Sequence, residues 1–166
     1  RAIDALRGTI SIQSQKGLGS TISIRIPLTL AIVESLLVSV GGDAYALPLS
    51  IVEECVELSR ADVARAHGRH LVNVRGQIVP YIPLRRQFAM DGESPAIEQV
   101  VITRVNGHRV GFVVDHVVGE HQSVIKTLGR MCKEVKGISG ATILGDGSVA
   151  LILDIPHLAQ SAELAA

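Results

Sequence analysis

The chain has 166 residues, enough for one compact domain plus a fragment of another, and its 16 Lys and Arg are cancelled by 16 Asp and Glu. Zero net charge lacks the phosphate-neutralising excess of nucleic-acid binders, and four aromatic residues (Tyr45, Tyr81, Phe88, Phe112) are too few for a base-stacking platform. A hydrophobic fraction of 47% excludes bulk disorder, and charges interrupt every apolar run before the ~20 residues that a membrane span needs.

Abundant Val and Ile favour strands over helices. The chain opens at Arg1, with no Met and no secretory leader, and reads as a piece of a longer protein. Cys55 and Cys132 form no CxxC pair and suit a reducing cytoplasm better than a disulfide scaffold.

In chain order, Arg1 to Leu6 could end a helix, with Gly8 as its stop. Alternation over Thr9–Ser14 and Thr21–Ile26, joined by Gln15–Ser20, predicts a hairpin with Ile10, Ile12, Ile22, Ile24 and Ile26 on one face. A helix tail and one hairpin cannot enclose a core, so residues 1–27 read as the trailing edge of a preceding domain. Pro27 breaks the pattern, and a β-rich region of 28–160 follows.

Four tight-turn signals punctuate that region: Gly41-Gly42-Asp43, Arg75-Gly76, Asn106-Gly107 and Asp146-Gly147. They expose an internal repeat. Tyr45, Leu47, Leu49 and Val52 recur 65 positions later as Val110, Phe112, Val114 and Val117; Ile78, Pro80, Ile82 and Leu84 recur 71 positions later as Val149, Leu151, Leu153 and Ile155. The region therefore reads as two similar β units, about 34–90 and 97–158, connected by Met90–Pro95. Short strands with tight turns close readily into small barrels, which remove sheet edges. Residues from Ile155 predict a short helix, with 161–166 as a tail.

Catalytic motifs are missing: there is no GxxxxGK[ST], GxSxG or HExxH. His67 and His70 stand beside Arg65 and Arg69, which oppose a metal ion. Asp115, His116, Glu120 and His121 are a better-looking set, but a strand followed by a turn would not make them converge. Cys55 reads as a buried inert thiol, and Gly17-x-Gly19 as a lone GxG between strands.

Leu6-Arg7-Gly8-Thr9-Ile10-Ser11-Ile12, followed by Gly17-Leu18-Gly19-Ser20-Thr21-Ile22-Ser23-Ile24 and Pro27-Leu28, resembles the end of the ATP-binding domain of histidine kinases. Leu28 to Val33 is similar to the junction that follows it in the chemotaxis kinases of the CheA family. Ala46-Leu47-Pro48-Leu49, Val52-Glu53-Glu54, Val74-Arg75-Gly76, Val114-Asp115 with Gly119, Val124-Ile125-Lys126 and Gly140–Gly147 resemble their regulatory, CheW-like domain.

The resemblance implies an all-β fold of two SH3-like five-stranded barrels, preceded by a hairpin remnant of the ATPase domain. It implies a non-catalytic scaffold that binds the coupling protein CheW and chemoreceptor cytoplasmic tips, and relays receptor state to a kinase domain. It further implies a cytoplasmic location, held at receptor arrays through those partners, with no nucleic acid and no membrane insertion. No cofactor is expected, with Gly17 and Gly19 as remnants of an ATP-site glycine motif. Val52 matches a receptor-groove position, and Val117 is its repeat mate. Glu54 and Arg75 match a structural ion pair, expected to be buried or half-buried. The unpartnered isoleucine face predicts a homodimer through residues 9–26. The alternative is a small-ligand or metal-binding barrel using Asp115, His116, Glu120 and His121.

Overall fold

The computed structural model of the chain describes residues 9–17, 19–25, 32–66, 68–124 and 137–163. They fall into two units, Arg1–Ile32 and Val33–Ala166. The expected helix end at 1–6, Gly8, Ile26 and the junction at 28–31 lie outside the described residues.

In the first unit, β1 (Thr9–Gln15) and β2 (Gly19–Arg25) pair antiparallel. Their register sets Ile10 opposite Ile24 and Ile12 opposite Ile22, leaving Thr9, Ser11, Gln13, Thr21, Ser23 and Arg25 on the other face. All four isoleucines are more than half exposed. Gly17 and Gly19, at φ 86° and 105°, supply the left-handed backbone of the turn.

The second unit runs β3 (Ile32–Val40), β4 (Asp43–Pro48), a 3-10 turn (Leu49–Ile51), β5 (Val52–Ser59), α1 (Arg60–Arg65), β6 (Leu71–Val74), β7 (Gln77–Pro83), α2 (Leu84–Gln87), β8 (Ile97–Val105), β9 (His108–Val114), β10 (His116–Val124), β11 (Ile138–Ile143), β12 (Val149–Leu153) and α3 (Ile155–Glu163). A reciprocal capping box starts α1: Ser59 accepts from the Asp62 N–H, and the Asp62 carboxylate accepts from the Ser59 N–H. Helix α3 reaches Glu163, so the tail expected from residue 161 begins inside a helix.

Three expected turns have both central residues at positive φ: Gly41-Gly42 (63°, 90°), Arg75-Gly76 (51°, 84°) and Asn106-Gly107 (49°, 85°). This twist matches that of the flanking strands. The fourth is wider. Only Gly147 is left-handed there, and Asp146 turns its carboxylate back to accept from the Ser148 N–H (2.9 Å) and hydroxyl (2.6 Å).

Five-stranded sheets form twice, in the orders β10-β3-β4-β12-β11 and β5-β8-β9-β7-β6. Under the sequence repeat these orders are identical, with β3, β4, β10, β11 and β12 standing for β8, β9, β5, β6 and β7. The contiguous units expected at 34–90 and 97–158 are nevertheless not the barrels. Each sheet takes a hairpin from one half and three strands from the other, so the halves are interleaved. The connection responsible is the 3-10 turn after β4, which sends β5 to the opposite sheet, and its counterpart at Asp115, which does the same for β10.

This exchange buries the two donated hairpins on both faces. One face contributes Leu36, Val38, Val40, Tyr45 and Leu47, with Val101, Val110, Phe112 and Val114, to a central core that also takes Leu84, Ile155 and Leu158 from the helices. The opposite face of β8 and β9 supplies Val100, Ile102 and Val113 to the interior of the second barrel, with Leu58, Val72, Val74, Val79 and Tyr81. Gly111 sits in that interior, where an added Cβ would lie 2.6 Å from Val100 Cγ1 and 3.1 Å from Tyr81 Cβ. Gly111→Ala is expected to destabilise the chain by about 1–3 kcal/mol through overpacking. An unchanged denaturant midpoint would contradict this packing.

Candidate functional site

Val52 opens β5 immediately after the 3-10 turn, and Val117 lies at the start of β10, just past the corner at Asp115. Both are half-buried and pack against the central core. Gln99 Oε1 accepts from the Val117 N–H, and Thr103, paired with Val52, donates its hydroxyl to the Val110 carbonyl at 3.0 Å. The two valines thus occupy repeat-equivalent margins of one apolar layer, each anchored by a neighbour on β8.

The strongest polar assembly of the unit crosses both sheets. Arg85 on α2 donates Nε to Asp115 Oδ1 (2.7 Å) and Nη2 to Oδ2 (2.8 Å), a two-bond fork. Asp115 Oδ2 also accepts from the Gly41 N–H at 2.8 Å, and the Asp115 N–H donates to the Ser39 carbonyl at 3.0 Å. Arg85 Nη1 reaches the carbonyls of Asp91 and Gly92 in the connecting segment. Met90 Sδ closes the other side of the turn, 2.6 Å from where a Cβ on Gly41 would stand. Burial raises the Asp115 carboxyl, but Arg85, the Gly41 N–H and the neighbouring His116 outweigh it and hold it below the ordinary aspartate value. Glu98 faces the same cluster and is pushed up by burial and by Asp115, with Arg85 and Arg60 opposing.

A second network covers the end of the β5, β8 and β9 strands. Glu54 Oε2 meets Arg75 Nε at 3.0 Å, so the two residues named from sequence do come together. The pair is not buried on both sides, however: the Arg75 side chain is 82% exposed, because it stands at a two-residue turn. Arg109 is the enclosed cation, 19% exposed, donating Nε to Glu53 (2.7 Å), Nη2 to Glu54 (2.8 Å) and Nη1 to Gln77 (3.0 Å). Arg104 completes the set on Glu53, whose carboxyl is raised by burial but brought below its usual value by the two arginines. Arg85, Arg104, Arg109 and Glu53 were not singled out from sequence. Their partners lie 30 to 56 positions away, a separation that leaves no local spacing signal.

The alternative cluster does not assemble. Asp115 is committed to Arg85 and Gly41, while His116 and Glu120 are exposed on one side of β10 and His121 points to the other. Among the described residues no group of three His, Cys, Asp or Glu converges on a metal position. Cys55 is exposed rather than buried, on the outer side of β5; local desolvation and Glu54 hold its thiol above the ordinary value, away from thiolate chemistry. His70 is exposed and stands edge-on to Tyr81, with ring centroids 5.2 Å apart. His67, Cys132, Ile125 and Lys126 lie outside the described residues.

Two predictions follow from these geometries. Asp115→Ala should cost about 2 kcal/mol of unfolding free energy, since it strips hydrogen bonds from a charged, enclosed group. A depressed carboxyl stabilises the fold above its unfolded pKa of about 3.9 and loses that stabilisation as pH falls through the folded value. Asp115→Asn should therefore flatten the acid limb of a stability–pH curve, and an identical limb would refute the clamp. For the second network, Arg75→Ala should change stability by less than about 0.5 kcal/mol, as an exposed pair does. Arg109→Ala should cost several times more, which urea titration of the two variants would compare.

Residues 34–163 match the CheW-like domain family. The chain is 42% identical over 161 residues to the chemotaxis protein CheA of Salmonella typhimurium, covering 95% of this chain and 24% of that protein. It is 38% identical to CheA of Bacillus subtilis (92% and 23%) and 37% identical to the sensor histidine kinase CheAY of Helicobacter pylori (97% and 20%). The chain thus spans about a quarter or less of the length of these relatives. Among solved structures it resembles the scaffolding protein TtCheW of Thermoanaerobacter tengcongensis, with a TM-score of 0.64 at 19% identity over 76% of this chain and 92% of that one. With the family match over most of its length and the CheA identity beyond it, the chain belongs to the CheW-like domain family and is homologous to the CheW-like region of CheA proteins.

Proposed function

We propose that the chain is the regulatory and scaffolding module of a chemotaxis sensor kinase, without catalysis of its own. It binds the coupling protein CheW and the cytoplasmic tips of chemoreceptors and passes receptor state to the kinase domain, at receptor arrays in the cytoplasm. The observation that carries this reading is the 42% identity with a CheA protein along 95% of the chain. The fold is consistent with it. Interleaved barrels make a stiff body whose apolar margins at Val52 and Val117 offer contact surface without a convergent set of reactive groups.

A pull-down with CheW and with a receptor cytoplasmic fragment from the same source tests the reading, and capture of neither would sink it. Val52→Thr and Val117→Thr should each weaken receptor capture about tenfold, as loss of a buried apolar contact worth ~1.4 kcal/mol would. Both variants should remain folded by circular dichroism at the binding temperature, with a modestly lower thermal midpoint because each valine also packs on the core. Equal binding by both folded variants would remove the valines from the contact surface.

By its resemblance to the end of a histidine-kinase ATP-binding domain, the hairpin β1–β2 amounts to only one wall of that family's nucleotide site, and Gly17 and Gly19 serve turn geometry. Calorimetric titration with Mg-ATP is accordingly expected to be flat, and a saturable micromolar signal would contradict it. The exposed Ile10, Ile12, Ile22 and Ile24 face suits a second copy of itself. Residues 1–166 should therefore sediment as a dimer and a chain starting at Leu28 as a monomer. Two monomers would refute self-pairing.

A further inference from the structure

The repeat permits a position-by-position comparison of the two barrel interiors, and they differ in kind. At one end of the second barrel the interior is Val56, Leu58, Val72, Val79 and Val100, all in one apolar cluster. A shift of 65 positions puts His121, Ser123 and Ser35 in place of Val56, Leu58 and Val100. A shift of 71 puts Ala150 in place of Val79, and the strand register, Val72 opposite Val79 and Thr142 opposite Ala150, puts Thr142 in place of Val72. Five apolar side chains are thus exchanged for small or polar ones at the same end of the first barrel.

Four of these residues are enclosed, and His121 is half-buried. Ser35 is 3% exposed, and Ser123, Thr142 and Ala150 are at 0%. Ser35 lies on the same face of β3 as Leu37, which pairs with Ala46 on β4; Ala46 in turn pairs with Ile152, two residues beyond Ala150 on the same face of β12. All of them therefore line one lumen. Ser for Leu and Ala for Val each remove two heavy atoms and Ser for Val removes one, whereas His for Val adds three at the half-buried margin, so room is gained where Ser123, Ala150 and Ser35 stand. Neither the Ser123 nor the Thr142 hydroxyl has a hydrogen-bond partner among the described residues. A buried hydroxyl left without a partner is costly, and native interiors relieve it with ordered water where a polar site is roomy enough. The Ser35 hydroxyl, held only by a long 3.4 Å bond to the Val33 carbonyl, is a third group able to share such a water.

We propose that the first barrel carries a buried hydration site, in which internal water bridges the hydroxyls of Ser123 and Thr142, with Ser35 at its edge. The second barrel is dry at the equivalent place. The two halves of the repeat have kept one topology while filling their interiors by different means, one with packed methyl groups and one with hydrogen-bonded water.

Water-to-protein NOE measurements on the full chain test this directly. Long-lived water cross-peaks are expected at the amides and hydroxyls around Ser123 and Thr142, with none around Leu58 and Val72. Thr142→Val, which keeps the side-chain shape and deletes the hydroxyl, should abolish the signal and lower the thermal midpoint by about 2–4 °C. Thr142→Ser, which keeps the hydroxyl, should retain the signal. Absence of water signals at both hydroxyls in the unaltered chain would overturn the proposal even if no variant folds. So would a higher midpoint for Thr142→Val, the sign of a dry and unpaired hydroxyl.

Discussion

Two hairpins buried on both faces constrain everything else in the regulatory unit. Hairpins β3–β4 and β8–β9 face their own barrels on one side and each other's core on the other. A strand in that position can present no polar face to water, which explains the uninterrupted apolar runs at Leu36-Leu37-Val38 and Gly111–Val114. It also fixes the size of the residue at the tightest point. Gly111 is small because Val100 and Tyr81 approach there, and its repeat mate Ala46 is fully buried between its strand partners Leu37 and Ile152. A five-stranded barrel alone would be a small body with little core. Sharing the central layer gives each barrel the other's hairpin as additional interior.

Interleaving also determines where polar groups can be afforded. The chain must leave one sheet and enter the other twice, at the 3-10 turn Leu49–Ile51 and at Asp115. The first crossing is made by apolar side chains that join the core, whereas the second is made by a charge held by Arg85 and by the Gly41 N–H. The repeat mates of Asp115 and Arg85 are Ser50 and Pro156, so the clamp has no counterpart. It pins the β3–β4 turn of one sheet to the end of β9 in the other and gathers the segment joining the halves through the carbonyls of Asp91 and Gly92.

Much of this was legible before any coordinates. Paired glycines and Asn-Gly announced the turns, the 65- and 71-residue shifts announced two similar barrels, and the alternation on β1 and β2 gave their shared isoleucine face. What alternation cannot reveal is which copy of a hairpin a strand pairs with. It reports the buried face and is unchanged when equivalent hairpins trade places. The one signal for exchange was the continuous apolar run, since a strand at the outside of a single barrel would alternate. The polar clamp and the Arg109 network left no such trace, being assembled from residues far apart in sequence. The Glu54–Arg75 pair was placed by resemblance, but its exposure depends on Arg75 standing at the apex of a tight turn.

The asymmetries share one physical cause. A duplicated unit starts with equal demands on both copies, and interleaving then couples the copies through one core, so that a change in either half is felt by both barrels. The central layer stays largely apolar in both copies: Tyr45, Leu47, Val110, Phe112 and Val114 pack in the same cluster, and where Thr103 replaces Val38 its hydroxyl is satisfied by the Val110 carbonyl. Freedom is left at the places that the shared core does not reach, namely the far ends of the barrel interiors and the two crossings. Those are where the copies differ, with Leu58 against Ser123, Val72 against Thr142, and Ser50 against Asp115. A symmetric scaffold coupled through one core can thus keep its middle constant while its two ends diverge in packing, polarity and surface.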